Sequence, residues 1–240
     1  MTTIPDGVNL LVLEGPDGVG KTSLAKFLAR RWANAVDCNG DPILVAVVGC
    51  PSATEPVGAA LRQAVKDGPL NPRSRATALW FAAARAETRA ETNRLLADRP
   101  RRLVIQDRGM LSGLVYQARH DGRDSFSAKR LLELELKSLD RGDCLPDATF
   151  VMSATVSVIE AVLAARKEKS SFDLFDVMDK LQRYRLMAGI CAACNDAKPL
   201  VGFIHSLPER QVLAASAHEW NAMQEESARC VEAALGVAHG

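Results

Sequence analysis

Leu11-Val12-Leu13-Glu14-Gly15-Pro16-Asp17-Gly18-Val19-Gly20-Lys21-Thr22 is the stretch around which the rest of this chain is understood. An apolar run leads into G-x-x-x-x-G-K-T, and Ser23-Leu24-Ala25-Lys26 then opens a helix. Strand, glycine-rich turn and helix in that order form a phosphate-binding loop. The glycines let the backbone curl so that successive N–H groups face a polyphosphate, and the positive end of the helix dipole adds to the attraction. The candidate nucleotide-binding residues are Gly15, Gly18, Val19, Gly20, Lys21, Thr22 and Ser23. Lys21 is expected to neutralise β- and γ-phosphate charge, and the Thr22 hydroxyl to ligate Mg²⁺. The expectation is a nucleoside triphosphate site.

The surrounding chain bounds what that site can serve. A length of 240 residues and 48% hydrophobic content suit one α/β domain spanning 1–240. A formal net charge of +1 lacks the footprint of a general nucleic-acid binder. No apolar run of about 18 residues suggests a membrane span, and Met1-Thr2-Thr3-Ile4-Pro5-Asp6 lacks a signal-peptide layout. Six cysteines in this length do not describe a disulfide scaffold. Cys191 and Cys194 have C-x-x-C spacing, yet they stand in an alanine-rich helical stretch without a second Cys or His pair nearby. The setting these features imply is soluble, reducing and cytoplasmic.

Apolar runs that suit buried parallel strands occur at Asn9–Glu14, Ile43–Val48, Leu103–Gln106, Thr149–Met152 and Leu200–Ile204. Helical stretches cover about Arg73–Ala97, Ser127–Asp140, Val156–Arg166, Phe172–Cys194 and Pro208–Ala234. The alternation predicts a three-layer α/β fold: a central parallel sheet of about five strands with helices on both faces.

Three uses of a phosphate loop compete: a switch GTPase, a mechanical or transport ATPase, and a small-molecule kinase. Asn195-Asp196-Ala197-Lys198 does not fit the guanine-reading N-K-x-D, and the third strand ends in Asp107-Arg108 where a mechanical ATPase has an Asp-Glu pair. The run Asp107-Arg108-Gly109-Met110-Leu111-Ser112-Gly113-Leu114-Val115-Tyr116-Gln117 resembles the D-R-Y-x-x-S-x-x-A-Y-Q stretch of thymidylate kinases. Ala78-Leu79-Trp80-Phe81-Ala82-Ala83-Ala84-Arg85-Ala86-Glu87 is similar to that family's L-L-F-A-A-D-R-A, and Leu145-Pro146-Asp147-Ala148-Thr149-Phe150 to its P-D-L-T-F. With the E-G-P-D-G-V-G-K-T loop, these matches stand in family order across 11–152, with weaker similarity toward Ala188.

The residues support phosphoryl transfer on their own chemistry as well. Asp107 closes a buried strand beside the loop, where its carboxylate can hold Mg²⁺ directly or through water. Arg108 follows it and points the other way, where a guanidinium can grip an acceptor phosphate. Phe81 and Arg85 are four apart on one helix face, spaced to stack on a base and bond its edge. The resemblance implies those roles, adds Ser112 and Gln117 to the substrate-binding set, sets Tyr116 against the sugar 2′ position and brings Asp17 to the acceptor 3′-hydroxyl. Each has a plainer rival: Phe81 as core, Arg85 as a solvated helix charge, Tyr116 as sheet packing. Trp32, Trp80, Trp220 and the histidines carry no spacing signal and read as structural or surface residues.

Two departures from the family stand out. The lid expected near 166–173 is short and lacks the family's D-R pair. Since this phosphate loop has no arginine, Arg166, assisted by Lys167 or Lys169, is the candidate to offset charge on the moving group. The family's acceptor-phosphate arginine after the second strand is also missing, because Gly49-Cys50-Pro51-Ser52-Ala53-Thr54-Glu55-Pro56-Val57-Gly58 holds no basic residue; Arg62 lies just beyond. Gly109 and Gly113 remove bulk and could widen the acceptor pocket. The expected activity is ATP- and Mg²⁺-dependent phosphoryl transfer to dTMP or a 5-modified dUMP. The alternatives are a kinase acting on a deoxynucleoside or on a modified-base hydroxyl, free or in DNA, and a quiet nucleotide sensor. The resemblance also implies a homodimer.

Overall fold

The computed structural model describes residues 1–68, 70–71, 74–97, 101–118, 127–165, 177–193, 201–211 and 217–239. Elements run β1 (Thr2–Thr3), β2 (Leu10–Glu14), α1 (Lys21–Arg31), β3 (Leu44–Gly49), α2 (Pro56–Asp67), α3 (Arg75–Ala97) and β4 (Arg102–Asp107). They continue with α4 (Met110–Gln117), α5 (Ala128–Lys137), β5 (Ala148–Val151), α6 (Val156–Ala164), α7 (Val177–Ala193), β6 (Phe203–Ser206), α8 (Ala217–Leu235) and β7 (Ala238–His239).

Five strands form one parallel sheet in the order β3-β4-β2-β5-β6, with β2 at its centre. Every residue of β2 is buried, the pattern of a strand covered on both faces. Its two-residue period sends Leu11 and Leu13 into a core with Leu103, Ile105 and Phe150, closed by Leu24, Leu28 and Trp32 of the α1 region and Val231 of α8. Leu10 and Val12 face the other way, against Val48 and Val104 with Leu95 and Leu96 of α3. The expected α/β architecture is the one observed. Asp147 pins its central strand, because Oδ2 accepts from the backbone N of Asn9 (2.7 Å) and Leu10 (2.9 Å).

Two local differences from the sequence reading have physical causes. The fifth strand begins three residues later than expected, at Phe203. Gly202 adopts φ +60° against the Pro146–Asp147 backbone, where a Cβ would lie 2.2 Å from the Pro146 carbonyl. α4 was not anticipated as a helix because every one of its residues is buried, so the sequence shows no amphipathic period. The α2 N-terminus is held from outside: the Glu87 carboxylate on α3 accepts from the N–H groups of Val57 (3.1 Å) and Gly58 (2.8 Å). No described helix is long and apolar enough to cross a membrane.

Candidate active site

The C-terminal ends of β2, β3 and β4 open into a cavity of about 1010 Å³, the crevice position expected of an open α/β sheet. At one end lies the loop between β2 and α1. Gly20 stands at the α1 N-cap with φ 91° and no side chain caps the helix, so its first N–H groups are left for an anion. Lys21 is buried, and its Nζ donates to the carbonyls of Gly15 (2.9 Å) and Pro16 (2.8 Å). Burial, joined by the Arg108 charge, draws the Lys21 pKa down to about 8 against the opposing pull of Asp107, Asp17 and Glu14. The Thr22 hydroxyl donates to Asp107 Oδ2. Asp107 Oδ1 is buried with no hydrogen-bond partner among the described residues. A hydroxyl beside a carboxylate with a spare oxygen is a donor set that suits a hard divalent cation, so these residues fit Mg²⁺.

Arg108 faces the other end of the cavity. Its backbone holds φ 76°, an uncommon conformation for a residue with a Cβ. The guanidinium pairs with Asp17, donates to Ser112 Oγ (3.1 Å) and Tyr184 Oη (3.4 Å), and lies 5.5 Å from the centre of the Tyr116 ring. Tyr116 Oη donates to the second Asp17 oxygen at 2.9 Å. Burial would raise the Asp17 pKa, but the charges of Arg108, Lys21 and Lys180 outweigh it and hold the carboxyl well below the usual range. Burial also pushes the Tyr116 and Tyr184 phenols up, keeping both protonated as donors. Glu14 ties this turn to the central strand. Its Oε1 accepts from the N–H groups of Gly109 (2.8 Å) and Ser112 (3.0 Å), and its Oε2 accepts the Ser112 hydroxyl (2.5 Å).

The far wall comes from α2, α3 and α4. Phe81, Arg85, Ser112, Tyr116 and Gln117 all line the cavity. Arg85 is buried and bound to Glu135 of α5, with Nε donating to Oε1 at 2.8 Å; Arg89 takes the other carboxylate oxygen at 3.0 Å. Gln117 Oε1 is buried without a hydrogen-bond partner among the described residues. Arg62 of α2 reaches back over the loop that follows β3, donating from Nε to the Pro51 carbonyl (2.7 Å). Its Nη2 would lie 2.5 Å from a Cβ on Gly49, so the guanidinium rests flush on that loop. A cation from the next helix thus occupies the loop that carries none of its own.

The structure therefore brings the sequence-selected Asp17, Gly18, Gly20, Lys21, Thr22, Ser23, Phe81, Arg85, Asp107, Arg108, Ser112, Tyr116 and Gln117 to one cavity. Gly15 and Val19 lie within the loop without lining the cavity, while Arg166 and the expected lid are outside the described residues. Gly109 and Gly113 do line the cavity, but neither absent side chain leaves a simple void. A Cβ on Gly109 would meet Val12 Cγ1 at 2.9 Å, and one on Gly113 would meet the Arg85 guanidinium at 2.9–3.2 Å. Trp220, read from sequence as structural or surface, lines the cavity beside Gly20. Glu14, Glu135 and Tyr184 escaped the sequence reading; only Glu14 had a signal, standing inside the quoted loop stretch. Cys191 is buried and free of a disulfide, and Cys194 is outside the described residues. The described residues contain no cluster of three or more His, Cys, Asp or Glu side chains able to hold a metal.

No curated protein matches the chain in sequence. Among solved structures it is similar to the thymidylate kinase of Ehrlichia chaffeensis, with 18% identity, TM-score 0.58, and coverage of 94% of this chain and 99% of that one. It is also similar to the thymidylate kinase of Candida albicans, with 19% identity, TM-score 0.57, and coverage of 91% and 92%. At these identities the likeness establishes the fold. The family model for thymidylate kinase matches residues 13–205, which run from the phosphate loop through the Asp107–Arg108 turn to the last strand of the sheet. A match of that extent makes this chain a member of the thymidylate kinase family, a nucleoside monophosphate kinase with ATP as its phosphate donor.

Proposed function

We propose that this kinase uses ATP and Mg²⁺ to phosphorylate a pyrimidine deoxynucleoside monophosphate, either dTMP or a 5-modified dUMP. The observation that carries the reading is the divergence of two adjacent side chains at the end of β4. Asp107 turns to Thr22 at the start of α1, and Arg108 turns the other way, to Asp17 at the far side of the loop and Ser112 of α4. One turn of backbone thereby addresses donor and acceptor together.

Catalysis in this arrangement is positional and electrostatic. Thr22 and Asp107 would hold the metal, which supplies neutralising charge to the β- and γ-phosphates. Lys21 exchanges its two carbonyl partners for phosphate oxygens. Arg108 releases Asp17 to take the acceptor phosphate and presents its oxygen in line. Asp17, freed in the same exchange, accepts the acceptor's 3′-hydroxyl, while Tyr116 bounds the sugar. Phe81 lies under the pyrimidine and Arg85 addresses its edge. Arg62 joins Arg108 as the second phosphate cation, standing in for the arginine missing from the loop after β3.

That missing arginine also motivates the other reading, an unphosphorylated deoxynucleoside or modified-base hydroxyl as acceptor. ADP release with ATP and Mg²⁺ should be followed across dTMP, dUMP, 5-hydroxymethyl-dUMP, dCMP, thymidine and a short oligonucleotide with a modified pyrimidine. Selective turnover of a pyrimidine monophosphate is expected. Turnover confined to unphosphorylated acceptors would overturn the proposal, and binding of ATP with no acceptor turned over would mark a sensor.

A further inference from the structure

Arg210 is a charge packed behind two cavity-lining residues, Gly20 and Trp220, that no described carboxylate balances. It is 8% exposed, and its Nη2 is buried without a hydrogen-bond partner among the described residues. Burial lowers its pKa, and no described charge opposes that shift. An unpaired buried guanidinium is strongly unfavourable, and a hydrophobic side chain would fill the same space at less cost.

The surroundings hold this charge in a defined place. The Arg210 backbone N donates to the Ser153 carbonyl at 3.1 Å, and its carbonyl accepts from Thr155 N at 2.9 Å, which ties the residue to the end of β5. Its Cζ lies 5.0 Å from the centre of the Trp220 ring, within cation–π range. Nη1 would sit 2.5 Å from a Cβ on Gly20, and Trp220 Cη2 would sit 3.2 Å from the same point. Arginine and tryptophan are therefore packed flush against the glycine that opens α1. Both Gly20 and Trp220 line the cavity. A long cationic side chain that reached water would need no explanation; this one ends at the phosphate loop.

We propose that Arg210, clamped by Trp220, is a fixed cation of the donor site whose counter-charge is the polyphosphate of the bound nucleotide. The proposal rests on the reading of the loop as the ATP site. It also supplies from the segment after β6 a charge that the loop residues Asp17, Gly18 and Val19 do not carry. Because the guanidinium is desolvated before ligand arrives, it meets the phosphates without first giving up a protein partner, unlike Arg108.

The test is calorimetric binding of tripolyphosphate, ADP, adenosine and dTMP to the wild type and to Arg210→Met, Arg210→Lys and Trp220→Leu. The melting temperature of each ligand-free protein should be recorded alongside. Arg210→Met should weaken tripolyphosphate and ADP at least about tenfold and flatten the salt dependence of both. It should leave adenosine and dTMP binding close to wild type and keep or raise the ligand-free melting temperature. Arg210→Lys should keep most of the affinity, and Trp220→Leu should lose a smaller part. Equal tripolyphosphate affinity in wild type and Arg210→Met would overturn the proposal. So would a fall in melting temperature accompanied by equal losses for every ligand, which would mark a structural brace. If the wild type bound neither ADP nor tripolyphosphate, the donor-site reading itself would fall, an outcome distinct from both.

Discussion

Gly18, Gly20, Lys21, Thr22 and Ser23 line the phosphate end of the cavity from one short stretch, whereas the opposite end draws on Arg62 of α2, Phe81 and Arg85 of α3, Arg108 after β4, Ser112 and Tyr116 of α4 and Tyr184 of α7. The two ends also balance charge differently. Lys21 rests on backbone carbonyls, and Arg210 on an aromatic face. Arg108 and Arg85 are each matched by a carboxylate, Asp17 and Glu135. Backbone N–H groups at a helix start need no counter-ion while they wait for phosphate. The Arg85 and Arg108 guanidinium groups, brought together from separate elements, each have one. On the proposed reading, polyphosphate therefore displaces only backbone carbonyls from Lys21, while the acceptor displaces a protein carboxylate to gain its arginine.

This contrast breaks first at Lys21 and Arg108. Lys21→Ala should lower kcat by roughly a hundred- to a thousandfold, since it removes charge stabilisation from the transferring group. Arg108→Ala should instead raise the acceptor KM by about tenfold or more while leaving ADP affinity unchanged. Steady-state kinetics with both substrates varied would check the split; equal effects on both substrates would erase the distinction between the two ends.

A smaller intrusion sharpens it. In Gly113→Ala the new Cβ would press on Arg85 Nη1 at 2.9 Å and Cζ at 3.0 Å, inside ordinary contact distance. The Arg85–Glu135 pair should shift, with an overpacking cost of about 1–3 kcal/mol. Acceptor KM should rise severalfold, and tripolyphosphate titration should return the wild-type affinity.

The smallest effect is one of pH. Asp17 titrates below its ordinary 3.8 because Arg108, Lys21 and Lys180 outweigh its burial. The unfolded chain then binds the extra proton, so Asp17 contributes stability that is complete above about 3.8 and is lost as pH falls through the depressed folded value. Denaturant titrations of wild type and Asp17→Asn should differ by a constant amount above that pH and converge below it. A gap that stayed constant down to about pH 2 would mean that Asp17 carries no such linkage.

How much of this could be read from the chain alone follows from the same contrast. The phosphate loop needs only neighbouring residues, so its sequence contains its geometry. The sheet was legible because buried parallel strands are short apolar runs, and β2, β3 and β4 lie where those runs fall. The Arg108–Asp17 pair, the return of Arg62 to Pro51 and the seat of Arg85 on Glu135 join residues that only the folded topology makes neighbours. Trp220 and Arg210 were invisible for a further reason. Their contact with Gly20 depends on how the last helix brings Trp220, and the segment after β6 brings Arg210, beside the start of α1, and neither residue belongs to a spacing pattern.

Glu14 carries a consequence for how the site opens and closes in time. Its carboxylate sits fully buried on the central strand, and the described donors to it are Gly109 N, Ser112 N and the Ser112 hydroxyl. Any separate fraying of the α4 start would leave buried Glu14 oxygens without their described donors, so that motion is costly. The Gly109 and Ser112 amides are thus coupled to the whole sheet and should exchange hydrogen only when the domain unfolds globally. Arg108, one residue before them, inherits that rigidity. The acceptor end is consequently assembled from remote parts of the chain yet kept in register by the central, fully buried strand.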